Sequence, residues 1–262
     1  MSHPRPIADL ATVPHLDGIL CDIDDTLTLH GRLVPEALVM LRTARQAGLT
    51  VVPVTGRPGG WADQIARMWP VDGVIGENGG LWFYMDGQKL QRRFLQDRDT
   101  RKANRKALDD LAHQILTAVP GTALASDQPY RDLDLAIDFC EDVPPLPDEA
   151  IDQIVAAFHD AGATCKVSSI HVNGWFGDFD KLRGFHRFHQ DRFGKPADLS
   201  RWAFFGDSAN DEPMFKAFPL SIGVANVKRF LPRMNAHPKW ITAQEGGDGF
   251  VEGMTRILAL RG

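Results

Sequence analysis

Asp22 and Asp24 stand one residue apart in GILCDIDDTLT (residues 18–28), where an apolar run breaks into carboxylate and hydroxyl side chains. In an extended chain residues i and i+2 face one side, so both can point into one cleft while Ile23 and Asp25 point elsewhere. Two carboxylates held that close repel unless a cation or a proton offsets them. The alternative is a turn whose aspartates bond their own backbone. A second strand end, GDSANDEPMF (206–215), repeats the pattern with Asp207, Asn210 and Asp211 at a helix start. LTVVPVTGR (49–57) ends on Thr55 and Gly56, and Lys181 stands alone further on. Oxygen ligands without His or Cys suit Mg²⁺ rather than zinc. The Thr55 hydroxyl, the open backbone at Gly56 and the point charge of Lys181 suit a phosphate.

The surrounding pattern says how these strand ends can meet. Strand 18–22, a helix over PEALVMLRTARQAG opened by Pro35 and closed by Gly48, the strand LTVVPV and the strand in VDGVIGENGG form a βαβαβ series. Such a series implies a parallel sheet with ligands at the carboxyl ends of its strands. Pro53 inside the second strand predicts a bulge or an unpaired position. From residue 82 LWFYMDGQKLQRRF reads as a hairpin across Asp86 and Gly87. A helix near 100–118, the strand RDLDLAIDF, a VPPLP turn, a helix near 147–161 and strands in TCKVSSIHVNGWF follow. The first pattern then returns through WAFFGD, NDEPMFKAF, LSIGVA and a last helix. The expected fold is α/β: a doubly wound, Rossmann-like parallel-sheet core split around an inserted α+β cap, with core 1–81, cap 82–178 and core 179–262.

A chain of 262 residues with 44% hydrophobic content can bury a substantial core. Its formal net charge of −5 argues against nucleic acid or an anionic membrane as partner. Cys21, Cys140 and Cys165 are scattered, which fits neither a disulfide framework nor a zinc site. With no signal-like or membrane-spanning apolar run, a cytoplasmic location is expected. His186 and His189 are spaced i, i+3 but lack a third ligand and read as partly buried helix residues, and Cys21 and the Met214, Phe215, Phe218 group read as core.

DxDxT at Asp22–Thr26, Thr55-Gly56-Arg57, Lys181 and GDxxND at 206–211 resemble, in order, the four motifs of the haloacid dehalogenase superfamily. The insert between the second and third motifs resembles the larger α/β cap of the type IIB branch, which contains sugar-phosphate phosphatases; ENGG and GGDGF are similar to that branch too. The resemblance implies Asp22 as nucleophile and Asp24 as general acid, then base. It implies Mg²⁺ held by the Asp22 and Asp207 side chains and the Asp24 carbonyl, with Asp211 in support. Thr55, Gly56, Asn210 and Lys181 would bind the phosphoryl oxygens. Asp25 reads as a turn residue, and Thr26, Asp211 and Arg57 admit turn, cap and surface readings. The expected activity is Mg²⁺-dependent hydrolysis of a small-molecule phosphate ester, above all a sugar phosphate. A phosphomutase and a non-catalytic phospho-ligand sensor are the alternatives, and oligomeric state is not legible.

The insert adds an expectation of its own. Ile170, Val172 and Phe176 alternate with Ser169, His171, Asn173 and Trp175, and Leu133, Leu135 and Ile137 alternate with Asp132, Asp134 and Asp138. If this sheet closes over the crevice, His171, Asn173, Trp175 and Asp134 would meet the substrate, Trp175 by stacking on a sugar ring. The alternative is a solvated sheet face.

Overall fold

A computed structural model describes residues 3–168 and 170–261, so Ser169 lies outside the described residues. Six parallel strands form the core sheet in the order Arg5–Pro6, Trp240–Ile241, Leu220–Gly223, Trp202–Gly206, Gly18–Cys21, Thr50–Pro53. The inner strands are buried along their whole length, which is why they read as unbroken apolar runs rather than alternating ones. Ile19 and Phe205 pack to one side with Leu41, Phe250 and Ile257, while Leu20 and Phe204 pack to the other with Phe185, Phe188 and Phe215. Each face is thus roofed by its own helices. From Gly18–Cys21 the chain first builds outward to Thr50–Pro53, then returns to add Trp202–Gly206 on the opposite flank. The order reverses between Gly18–Cys21 and Trp202–Gly206, and a crevice opens at such a switch point.

At Pro53 the unpaired position, not the bulge, is the alternative that holds, and one expectation is corrected. Pro53 makes no bulge: it lies in register opposite Cys21, and Val54 N–H donates to the Cys21 carbonyl at 2.8 Å. The missing Pro53 donor falls on the other side, between Val51 N–H bonded to the Asp72 carboxylate and Thr55 N–H bonded to the Ile75 carbonyl. The hairpin of Leu81–Asp86 and Lys89–Phe94 belongs with the core rather than the cap. Leu81–Asp86 pairs with Val74–Gly76, which Val54 bridges to the main sheet, and Leu81 and Phe83 join the core cluster. Antiparallel pairing marked a change of direction and not a change of domain.

The insert proper opens at Asp97, whose carboxylate caps the Arg98–Ala118 helix by accepting the Asp99 and Thr100 N–H groups. Its antiparallel sheet runs Thr164–Val167, His171–Trp175, Leu135–Asp138, Ala123–Leu124. Leu135, Ile137 and Val172 face the Arg98–Ala118 and Asp148–Asp160 helices through Leu108, Leu111, Ile115, Ile154 and Phe158. The opposite face is not solvated: Asp134, Ala136, Asp138, His171 and Asn173 are all buried. Trp175 is fully buried and stacks on Phe179 with ring centroids 5.3 Å apart, so the expectation that it meets a sugar ring is overturned. It sits too far along its strand and serves as packing.

Candidate active site

Asp22 follows the Gly18–Cys21 strand, with its N–H bonded to the Phe205 carbonyl at 2.9 Å across the switch point. Lys181 is the first residue of the Lys181–Phe193 helix, whose N-cap Asp180 accepts the Arg183 N–H. Its Nζ lies 2.7 Å from Asp22 Oδ2 and 2.7 Å from Asp211 Oδ1, and all three side chains are buried. Asp211 also accepts the Asp207 N–H at 3.0 Å, which is possible because a Cβ at Gly206 would collide with its carboxylate. Thr26 is no mere turn hydroxyl: it is fully buried and donates to Asp207 Oδ1 at 3.3 Å. Asn210 accepts from the Ser208 hydroxyl at 2.8 Å and lines the cleft with Gly56. Thr55 Oγ1 accepts the Arg57 N–H at 3.0 Å and keeps its own hydrogen to donate.

The electrostatics state what the cluster lacks. Burial pushes Asp22 up to about 7, an effect that Lys181 only partly offsets while Asp211 and Asp24 add repulsion. Asp207 is raised by burial and then by Asp211 and Asp22. Burial pulls Lys181 down, but Asp211 and Asp22 outweigh it and raise its pKa above the usual lysine value. One oxygen each from Asp22, Asp207 and Asp211 lie within 4.8 Å of one another, and Asp207 Oδ2 is buried without a hydrogen-bond partner. Three carboxylates facing one ammonium, with one oxygen left over, fit a hard divalent cation. In this arrangement Asp211 leans on Lys181 and backbone N–H groups, and the free oxygen belongs to Asp207.

Arg57 is not the surface charge that the sequence allowed. It is 6% exposed, its Nη2 lies 2.9 Å from Asp24 Oδ1 and 2.9 Å from Glu141 Oε1, and its Nη1 is 3.3 Å from Asp127 Oδ2. Trp61 lies under the guanidinium, 4.6 Å from ring centroid to carbon. Burial pulls Arg57 down, but Asp24 and Glu141 more than offset this and hold it charged. One core arginine therefore ties Asp24 to two cap carboxylates. Arg131 extends the network, bonding Asp127, Asp134 and the Gly56 carbonyl. Asp134 and Asn173, expected to meet substrate, bond each other at 3.0 Å; Asn173 and His171 also line the cleft.

Glu77 joins cap to core from behind. It is fully buried, and its carboxylate accepts N–H groups from Gly59 at 2.8 Å, Asp132 at 2.8 Å, Leu133 at 2.6 Å and Asp134 at 3.1 Å. Burial and then Asp134 push it up to about 7 against the pull of those bonds. Glu77 and Asn78 hold φ of 45° and 54°, and Gly79 continues at 103° against the Asp180 backbone, where a side chain would collide. The ENGG turn thus aims a carboxylate at the residues that lead into the Leu135–Asp138 strand.

The space left over Asp22, Asp24 and Asp207 is about 20 Å³. It holds about one water, less room than a phosphate takes. A wider cavity of about 290 Å³ begins at Asp24 and runs outward past Glu141, Ile170, His30 and Asp25. The sequence pointed to none of Glu141, Asp127 or Arg131 as site residues, and to Glu77 only as part of the ENGG stretch. For Glu77 alone a signal was present, the glycine pair after it. Among the described residues no helix is long and apolar enough to cross a membrane.

A family model of haloacid dehalogenase-like hydrolases matches residues 19–127. A phosphoglycolate phosphatase of Methanoculleus marisnigri is 27% identical over 248 residues, covering 92% of this chain and 96% of its own. Among solved structures, a Thermoplasma acidophilum protein superposes with a TM-score of 0.70 at 18% identity, over 94% of this chain and 99% of its own. A sucrose-phosphatase of Synechocystis sp. PCC6803, solved with sucrose and phosphate, gives 0.65 at 16% identity over 92% and 98%. At such identities the solved structures speak for the fold alone, and they share it along nearly their whole length. The matched span carries Asp22, Asp24, Thr55 and Gly56, and the relative's alignment runs nearly the full chain. The fold and these matches agree: the chain is similar to haloacid dehalogenase-like hydrolases over residues 19–127 and to a phosphoglycolate phosphatase along nearly its whole length.

Proposed function

We propose that this phosphatase hydrolyses the monoester of a small phosphorylated metabolite, most readily a sugar phosphate, through a phosphoryl-Asp22 intermediate and with Mg²⁺. The observation that carries the reading is the buried Asp22 carboxylate at the switch point, held at 2.7 Å by Lys181 beside the unsatisfied oxygen of Asp207. Asp22 attacks phosphorus while Asp24 gives its proton to the departing oxygen. Asp24 then takes a proton from the water that attacks the acyl phosphate, which restores Asp22 and frees inorganic phosphate. Arg57 Nη2, 2.9 Å from Asp24 Oδ1, fixes the position of that carboxyl over the cleft. Lys181, Thr55, Gly56 and Asn210 would hold the phosphoryl oxygens. A carboxylate about 4 Å from a dianion meets roughly 8 kcal/mol of repulsion at an effective dielectric near 20, or about five to six powers of ten in rate. Asp22, Asp207 and the Asp24 carbonyl, with Asp211 in support, would hold Mg²⁺, which would supply the charge that offsets this repulsion.

Phosphate release from a broad panel of esters, with Mg²⁺ and in excess chelator, tests the reading. Turnover is expected with Mg²⁺ and a loss of at least about 10³-fold without it. Undiminished release in chelator would remove the metal from the account. A phosphomutase would return the phosphoryl group to the sugar and release little phosphate, and a sensor would turn over nothing.

Asp24→Asn separates the acid role from a structural one. General acid catalysis matters most for a poor alkoxide leaving group, so alkyl phosphates should lose at least about tenfold more rate than nitrophenyl phosphate. Equal losses on both would make Asp24 a structural partner of Arg57.

A further inference from the structure

We propose that Glu141 is a specificity-determining residue, selecting esters whose alcohol carries hydroxyls or an amine and rejecting those that carry a second anion. The inference rests on the phosphatase reading above and names the substrate class within it. Three observations carry it.

The first is that Glu141 is held in place rather than free to wander. It lies in the loop after the Leu135–Asp138 strand, where the fully buried Asp138 carboxylate accepts the N–H groups of Cys140 at 2.9 Å, Glu141 at 2.8 Å and Asp142 at 2.8 Å. A backbone clamped at three successive residues presents its side chain from a fixed point.

The second is its relation to Asp24. Glu141 Oε1 and Asp24 Oδ1 each lie 2.9 Å from the same Arg57 nitrogen. The leaving oxygen must come within hydrogen-bond reach of Asp24, so the carbons next to it pass Glu141. Glu141 Oε2 is also 2.9 Å from the buried His171 Nε2. The His171 contact first, and then Arg57 against the pull of burial, hold Glu141 down to about 2, so it is ionised at neutral pH.

The third is the charge of the chamber that receives the leaving group. The 290 Å³ cavity is walled by Asp24, Asp25 and Glu141 against Arg57 and His30. Arg57 is already shared among Asp24, Asp127 and Glu141, and Asp25 meets Arg229 only at 3.5 Å near the surface. A substrate carboxylate about 5 Å from Glu141 would lose roughly two orders of magnitude at an effective dielectric near 20. A hydroxyl or ammonium in the same place donates to it instead.

Glycerol 3-phosphate and 3-phosphoglycerate test this directly, since they differ in a hydroxymethyl against a carboxylate. The ratio of kcat/KM for the pair is measured in wild type, Glu141→Gln and Glu141→Asp. If turnover of either ester is too slow, the pair is compared as inhibitors of nitrophenyl phosphate hydrolysis. Wild type is expected to favour glycerol 3-phosphate by about 100-fold. Glu141→Gln should shrink that ratio at least about tenfold by improving the carboxylate ester, and Glu141→Asp should keep most of it. A wild-type ratio within threefold, a preference for 3-phosphoglycerate, or a ratio unmoved by Glu141→Gln would overturn the inference and leave the phosphatase reading standing. Absence of phosphate release from every ester with Mg²⁺ present would instead take down that reading and this inference with it. Should the glutamine variant fail to fold, Glu141→Ala gives the same comparison.

Discussion

Asp22→Asn is expected to lower turnover by at least about 10⁴-fold while the protein folds and still binds phosphate esters. The amide keeps the shape of the carboxylate and removes the anionic oxygen that attacks phosphorus. Folding should not suffer, for a reason visible in the site. Burial has already pushed Asp22 up to about 7, so its ionised form is disfavoured in the folded chain relative to the unfolded one. A raised carboxyl contributes its stability below its unfolded value and loses it as pH climbs through about 7. A neutral asparagine is free of that loss, and Lys181 keeps Asp211 at 2.7 Å. At pH 8 the variant's Tm should equal or exceed that of wild type measured without Mg²⁺. Activity above a hundredth of wild type would remove Asp22 from the nucleophile's place.

Lys181→Met should be nearly as damaging to activity and, unlike Asp22→Asn, should also damage the fold. Methionine fills similar space but leaves Asp22 and Asp211 buried without their ammonium beside a raised Asp207. Breaking one partner out of a buried ion cluster costs about 3–5 kcal/mol. Loss of a charge on the phosphoryl oxygens is expected to lower kcat/KM by at least about 10³-fold. A divalent cation would repair part of the electrostatic deficit, so Mg²⁺ should raise the Tm of the variant by more than it raises that of wild type. Urea unfolding and thermal scans with and without Mg²⁺ check both parts. An unchanged urea midpoint would mean that the three carboxylates do not depend on Lys181.

What the sequence revealed follows from the range of the interactions involved. Asp22, Asp24, Thr55, Lys181, Asp207 and Asp211 each stand at a strand end or helix start, so local pattern located them and the parallel sheet brought them together. Of the two alternatives at Pro53 the unpaired position holds, on the side where Asp72 and Ile75 bond the residues on either side of it; which side of a strand lacks a donor depends on the neighbouring chain, and local pattern does not say. The hairpin at Leu81–Asp86 was given to the cap because antiparallel pattern does not say which sheet it extends, and only the Val54–Ile75 bridge does. Period-2 alternation found the polar cap face, yet could not say that Asp134 would be taken by Arg131 and Asn173 or that Trp175 would turn to Phe179. Arg57 is the sharpest case. Beside Thr55 and Gly56 it looked like a surface charge, and its partners Asp127 and Glu141 lie in another domain, where no local spacing could join them to it.

The phosphoryl-enzyme itself is the most direct test. Wild type mixed with a ³²P-labelled ester and Mg²⁺, quenched in acid within the first turnover and digested, should yield label on the peptide that contains Asp22. That label should be lost to hydroxylamine, as an acyl phosphate is, and be absent from Asp22→Asn. Steady phosphate release with no protein-bound label at any quench time, or with label on a peptide lacking Asp22, would contradict the account.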